Sequence, residues 1–369
     1  MDQKEILVIH GNQPETMVKK ILAKAQIEHL IGEKHRRIVL KPNLVVSEPA
    51  EKGATTHPEL VLGAIEYLQE KGFTNIVVME GAWVGDRTQK AFKVCGYEEI
   101  AHKTGVALID TQKEESYEKQ VEGVTLHICA CVKEEDYLIN FPVLKGHCQT
   151  TMTCALKNMK GLIPNSEKRR FHTMGLMKPI AYLNKAIRQD FIVVDALCGD
   201  PDFEEGGNPV FRGQVFAARD PVLCDSYGCS LLGYEKEEVA YLSLAEALGV
   251  GSSTVDQKKI HFLNLPTQGG TLPSPTGLAK ALGNVVEQKS ACSACYANVI
   301  CALKALKERG TGRNIFLKKE KIAVGQGFQK EKGLIGVGTC TGNFTHHVKG
   351  CPPDTAKIIE FFEKISEGD

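Results

Sequence analysis

At 369 residues the chain exceeds what one hydrophobic core usually organises, so two or more domains are expected and no disulfide staples are required. Lys plus Arg and Asp plus Glu each total 45, and this balance excludes a global field drawing the protein to nucleic acid or an anionic membrane. The opening MDQKEILVIHGNQPE mixes charge into its first apolar run, and no run of about eighteen apolar residues occurs, so neither signal peptide nor membrane span is expected and a cytoplasmic location is.

The first hundred residues alternate β-rich runs with helical periodicity. EILVIH (5–10), RIVLKP (37–42) and NIVVME (75–80) read as strands, with helices at about 15–31 and 58–71 between them. A helix around 87–104 leads into VALID (106–110). TQKEESYEKQ reads as an exposed connection or hairpin edge, before GVTLHICACV and DYLINFP return to strand character. A helix is expected from about 149 to 160, then a loop and helix, and the strand FIVVDAL (191–197). GDPDFEEGGNP (199–209) is a loop by composition. QVFAAR, helices at about 221–232 and 236–248, and KIHFLNL (259–265) complete this body, an α/β domain with a mostly parallel sheet and helices on both faces. PTQGGTLPSPTG (266–277) reads as a linker, so the boundaries are 1–265, 266–277 and 278–369. The last segment is expected to be a smaller α/β domain bearing cysteines. It has a helix near 293–309, strands KIAVGQ (321–326) and GLIGVGTC (333–340), and a helix from about Pro353.

Thirteen cysteines, an odd number spread through predicted strands and helices, fit a reduced compartment and small buried hydrophobes better than a disulfide framework. Four stand apart by spacing. Cys292 and Cys295 form a C-x-x-C at a helix start, where free backbone N–H groups favour thiolate. Cys340 follows a strand in GVGTCTG, and Cys351 precedes two prolines in KGCPPD. Four thiols at element ends suit tetrahedral sulfur ligation by zinc or by an iron–sulfur cluster. Cys301, six residues beyond Cys295 on the same helix, points elsewhere and is expected to be a packing residue.

A local anion site is expected in FPVLKGHCQTTMTCALKNMKGLIP (141–164). Lys157 and Lys160, three apart, share one helix face, and Arg169, Arg170 and His172 follow. His147 and Lys145 are the catalytic candidates, because imidazole carries protons near neutrality. Lys41 and Asn43 stand at a strand's carboxyl end, where open α/β sheets bind ligands, and His57 precedes a helix at Pro58. With Lys157, Asn158 and Lys160 they form the expected substrate-binding set. Asp195, Asp200, Asp202, Glu204 and Glu205 are turn residues that could also serve as acid, base or a second metal site. Asp220 before Pro221 reads as a helix N-cap. No P-loop, dinucleotide-binding glycine loop, H-E-x-x-H or G-x-S-x-G is present.

The segment GTC followed by GCPP resembles the proximal cluster site of the nickel–iron hydrogenase small subunit and its relative in respiratory complex I, where the corresponding cysteine ligates a [4Fe-4S] cluster. LKPNLV, THPEL, FPVLKGH, ALKNMKGLIP, VVDAL and ARDPVLCDSYG, in this order over roughly 36–235, resemble the bacterial and archaeal family called domain of unknown function three-six-two. That resemblance implies an iron–sulfur association, commonly with an appended ferredoxin-like pair of clusters. The paired cysteine runs of a two-cluster ferredoxin are missing here, so one cluster is implied, with ligands Cys292, Cys295, Cys340 and Cys351 and zinc as the alternative. The expected function is an iron–sulfur oxidoreductase or electron-transfer protein acting on an anionic small molecule or a redox partner protein, not on nucleic acid or membrane. The alternatives are a lyase or isomerase with a structural cluster, and a cluster carrier or maturation factor.

Overall fold

The apolar runs ILVIH, IVLKP and IVVME become strands β1 (Ile6–His10), β2 (Ile38–Pro42) and β3 (Ile76–Glu80) of the computed structural model, buried on both faces and therefore continuous rather than alternating in sequence. The structure describes residues 1–265, 278–311, 315 and 320–367; the expected linker, 266–277, lies outside the described residues. Two units are formed, Met1–Lys168 with Met177–Pro275, and Arg169–Leu176 with Thr276–Asp369.

In the first unit the strands continue with β4 (Ala107–Asp110), the hairpin β5 (Ser116–Val121) and β6 (Val124–Cys129), β7 (Tyr137–Phe141), the short hairpin β8 (Lys145–His147) and β9 (Thr151–Thr153), β10 (Phe191–Gly199), β11 (Val210–Ala218) and β12 (Ile260–Phe262). Eight of these form one sheet in the order β12-β1-β11-β10-β7-β2-β3-β4. Only β11 runs against its neighbours, so the sheet is mostly parallel as expected. Helices Pro14–Ala25 and Pro58–Glu70 cover one face, packing Val18, Ile21, Leu60 and Leu68 onto Ile9, Leu40, Ile139 and Val193. Alternate strand residues such as Val39, Leu138, Val194 and Phe216 are buried on the other face. There Phe216 meets Tyr227 of helix Pro221–Leu231 edge-on, with ring centroids 5.0 Å apart.

Three expected helices are shorter than their periodicity. The first breaks at Gln26, which adopts a left-handed conformation, and the third breaks at Gly96. The helix expected from 149 begins only at Ala155, because Thr151–Thr153 pairs with Lys145–His147 instead. β-Branched threonines favour that extended state. Asp225 then caps the short helix Ala155–Asn158, accepting from Ala155 N (2.7 Å) and Leu156 N (3.2 Å), which fixes where Lys157 and Asn158 point.

In the second unit β13 (Val286–Gln288), β14 (Ile322–Val324), β15 (Ile335–Val337) and β16 (His346–Val348) form a sheet in sequence order, every pair parallel. Helices Ser293–Arg309 and Thr355–Glu367 bury Ile300, Leu303, Ile358 and Phe362. Among the described residues no helix is long and apolar enough to cross a membrane.

Two close contacts lock the first unit and carry predictions. Gly146 in β8 faces the Pro201 carbonyl so closely that any Cβ would overlap it, while its N–H donates to Asp200 O at 2.7 Å. Gly146→Ala should therefore cost about 1–3 kcal/mol by overpacking; a denaturant midpoint equal to wild type rejects that close approach. His57 is the second: its backbone N and its Nδ1 both lie 2.8 Å from Asp195 Oδ2. Burial opposes the imidazolium, but the charge and hydrogen bond of Asp195, with Glu59 and Glu51, together hold His57 up at about 9. The pKa is raised on folding, so the pair stabilises fully below the ordinary value of about 6.5 and loses its contribution as pH rises through about 9. On the order of 3 kcal/mol is at stake across that window. Urea titrations should show a wild-type loss over this range that His57→Gln lacks; parallel pH curves for the two proteins reject the linkage.

Candidate functional site

Parallel pairing forces the loops that follow β13, β14, β15 and β16 to leave from one edge of the small sheet. Those loops carry Cys292 and Cys295, Gln326 and Gln329, Cys340, and Cys351 respectively. Cys292 is the N-cap of helix Ser293–Arg309, and Cys295 lies in its first turn. Cys340 sits in the tight turn Thr339–Thr341, entered through Gly338, whose φ of 96° lies in the left-handed region. Burial pushes the Cys295 thiol far up, and Cys292, Cys351 and Cys340 each push it further, so the four sulfurs share one neighbourhood. Gln326 Nε2 lies 3.8 Å from Cys292 Sγ, and Gln329 Nε2 lies 3.8 Å from Cys340 Sγ. Cys351 is exposed and the other three are half-buried.

Strands β13 and β16, which deliver Cys292 and Cys351, were not read from sequence: VEQ and HHV are mostly polar and exposed, whereas the equally short IAV and IGV of β14 and β15 are apolar and buried. A weak signal existed in IAVGQGF (322–328) and IGVGTCT (335–341), each a strand, a positive-φ glycine and a tight turn.

The second constellation lies at the carboxyl edge of the large sheet. Lys41, at the end of β2, is fully buried and paired with Glu80 at the end of β3; its Nζ also donates to Pro42 O at 3.0 Å. Burial lowers its pKa, and its charge is compensated inside the protein. Asn158 donates to Asn140 Oδ1 at 2.6 Å, and Asn43 Oδ1 accepts from Lys145 at 3.4 Å. Lys145 donates further to the carbonyls of Ala54 and Glu204, and burial lowers it to about 8.

His147 accepts at Nδ1 from the N–H groups of Gln149 and Thr150, both at 3.0 Å, which places its own proton on Nε2. Nε2 lies 3.0 Å from Glu204 Oε2, off the line of a well-formed hydrogen bond. Burial and the Lys157 charge lower the imidazole to about 4, so it is neutral at physiological pH rather than the proton carrier its type suggested. Lys157 forms an ion pair with Glu204 Oε1. Burial alone would raise Glu204, yet Lys157, His147 and Lys145 outweigh it and hold the carboxyl well below its usual range. Glu205 is the reverse case: its buried oxygens have no hydrogen-bond partner among the described residues, and burial with the Glu204 charge pushes it up to about 7.

The structure therefore gathers Lys145, His147, Lys157 and Asn43 around Glu204 and Glu205, with Lys160 near enough to act on His147. Lys41 and Asn158 adjoin this cluster through the Pro42 carbonyl. His57 is held by Asp195, and Arg169, Arg170 and His172 fall in the second unit. Asp195 is occupied by the N–H groups of His57 and Leu197 and Asp200 by local N–H donors, and among the described residues neither they nor Asp202 belong to a group of three metal-type donors. The one such group is Cys154, Cys224 and Asp225, fully buried, with donor atoms within 4.8 Å of one another. Its carboxylate is the helix cap described above. Glu80 and Lys168 were missed in sequence; Lys168 is buried, lowered to about 8 by that burial, and donates to Gly81 O (2.9 Å) and Ala82 O (2.7 Å). A strand-end position was Glu80's only signal. A cavity of about 320 Å³ bounded by Lys185, Arg188, Arg219 and Asp220 shares no residue with either constellation.

Chemically, the basic cluster offers two ammonium groups, an imidazole N–H and a carboxyl titrating near neutrality, which suffices to hold an anion and move a proton. The sulfur edge offers four soft donors.

The chain is similar to the thylakoid-associated protein sll1697 of Synechocystis sp. (strain ATCC 27184 / PCC 6803 / Kazusa), at 22% identity over 227 residues, 60% of this chain and 70% of the relative. Among solved structures it is similar to the lactate racemase apoprotein of Thermoanaerobacterium thermosaccharolyticum, with TM-score 0.43 and 14% identity over 63% of this chain. It is also similar to a Thermotoga maritima protein, with TM-score 0.39 and 13% identity over 60% of this chain. The chain spans 58% and 60% of those two proteins, less than two thirds of each. The family model for Domain of unknown function (DUF362) matches residues 38–230, and the chain belongs to that family.

Proposed function

We propose that this is a cytoplasmic single-cluster iron–sulfur protein of oxidoreductase or electron-transfer type, with Cys292, Cys295, Cys340 and Cys351 as cluster ligands. The convergence of four thiols from three separate loops on one sheet edge carries this reading. Zinc would be held by the same four thiolates, and the likeness of GTC and GCPP to a [4Fe-4S] site is what favours the cluster. When bound, it exchanges single electrons at a potential set by burial, charge and N–H donors to sulfur, a role for which Gln326 and Gln329 are placed. Lys145, His147 and Lys157 hold the anionic substrate or the anionic group of a redox partner protein; nucleic acid and membrane are not its partners.

A second reading, a lyase or isomerase with a structural cluster, is favoured by one observation: a neutral imidazole and an unpartnered carboxyl at about 7 occupy the same cluster. Anaerobic purification with iron and sulfide analysis tests the first reading, and reversible bleaching by dithionite separates the two. Protein free of iron and sulfide rejects the cluster; a bound cluster that dithionite does not bleach favours the second reading. Transfer of the cluster to an apo-protein acceptor identifies a carrier.

The ligand assignment makes its own prediction. Cys340→Ser and Cys351→Ser should each lose most of the visible absorption and bound iron, while Cys301→Ala should retain both. Equal loss in all three variants would overturn the assignment.

A further inference from the structure

Glu204 sits where a ligand's carboxylate would sit. One oxygen pairs with the Lys157 ammonium and the other lies 3.0 Å from His147 Nε2. The side chains of those partners are sealed, at 2% and 0% exposure, whereas Glu204 at 12% is the member that reaches solvent. Lys145 adds a third cation through the Glu204 carbonyl, at 2.8 Å. The Glu204 side chain is thus the least buried of the three.

The loop that supplies it does not need this side chain for its shape. Asp200 Oδ1 accepts from Asp202 N (2.8 Å) and Phe203 N (2.9 Å), and its Oδ2 accepts from Asn208 N (2.8 Å), so the turn closes on its own aspartate. Further main-chain bonds, Gly146 N to Asp200 O and Gly207 N to Lys52 O, hold its ends. Beside Glu204, both buried oxygens of Glu205 lack a hydrogen-bond partner among the described residues, and His147 Nε2, 3.0 Å from Glu204 Oε2, makes no well-formed bond. A purely structural ion pair requires neither feature.

We propose that Glu204 is a placeholder for a small carboxylate ligand, which binds with its carboxylate between Lys157 and His147 after the Glu204 side chain rotates out toward solvent. This rests on the anion-site reading given above and narrows its substrate class. A planar two-oxygen group matches one ammonium and one N–H donor, whereas phosphate brings a further charged oxygen toward Glu205.

Acetate is the probe, used with the full anaerobically purified chain and its Glu204→Ala, Glu204→Gln and Glu204→Ala/Lys157→Met variants. Thermal unfolding and ligand-observed NMR are the readouts. Glu204→Ala should melt below wild type, and acetate should raise its Tm with concentration. Half-saturation should come at roughly tenfold lower acetate than in wild type, because the competing side chain is gone. Adding Lys157→Met should abolish the response, and phosphate should bind more weakly than acetate. If Glu204→Ala does not fold, Glu204→Gln, which keeps the size and removes the charge, is read in the same way. Equal acetate affinity in wild type and both single variants overturns the placeholder while leaving the anion site standing. No acetate binding in any of them overturns both. Phosphate binding as tight as acetate overturns the carboxylate class, and binding that survives Lys157→Met overturns the assigned position.

Discussion

Parallel strand pairing is the constraint on which both constellations depend. Strands that run the same way end at the same edge, so every loop that follows a strand is delivered to one rim whatever its separation in sequence. In the small sheet this gathers Cys292, Cys340 and Cys351 from segments that share no local structure. In the large sheet it gathers Lys41 from the end of β2, Glu80 from the end of β3, and Lys145 and His147 just beyond β7. Reversing one strand would send its loop to the far rim. The antiparallel strand β11 follows the loop of Glu204 and Glu205, so that loop turns back at the same rim instead of crossing the sheet.

Burying that many charges is costly, and the structure shows how the cost is met. A buried ammonium without a counter-ion would lose its proton or unfold its surroundings. Lys41 is matched by Glu80, Lys157 by Glu204, and Lys168 by two carbonyls. Such pairs are weak evidence for stability, because desolvation offsets most of their attraction. Their value here is positional: each fixes a side chain that would otherwise have several rotamers. Glu205 is the exception. Its oxygens are buried beside the Glu204 anion with no partner in another residue among the described residues.

The large sheet was legible because most of its strands are continuously apolar, and because helices such as Pro58–Glu70 carry clear periodicity and end signals. What failed were short polar elements. Val286–Gln288 and His346–Val348 lack the apolar run that marks the equally short Ile322–Val324 and Ile335–Val337, and Thr151–Thr153 lay within a window that read as helix. At the sites, residue types were legible but partners were not. Lys41, Lys145, His147 and Lys157 stand out as basic residues at element ends, yet nothing local says that Lys41 will meet Glu80 or that Glu204 will fill the recess between Lys157 and His147. Those pairings are tertiary and arise from which strand lies next to which.

The largest change in chemical reading concerns the proton. A histidine two residues from a lysine suggests a group that titrates near neutrality, but His147 has one ring nitrogen accepting from two backbone N–H groups. Protonating that nitrogen would break both bonds and add charge beside Lys157, so the imidazole stays neutral and acts only as an N–H donor. Titration passes instead to Glu205, at about 7, and Lys145, at about 8. As pH falls through about 7, Glu205 loses its negative charge, so the surroundings of Lys145 and Lys157 become more favourable to an anion. Within this cluster His147 is therefore a fixed N–H donor, and Glu205 is the carboxyl that titrates near neutral pH.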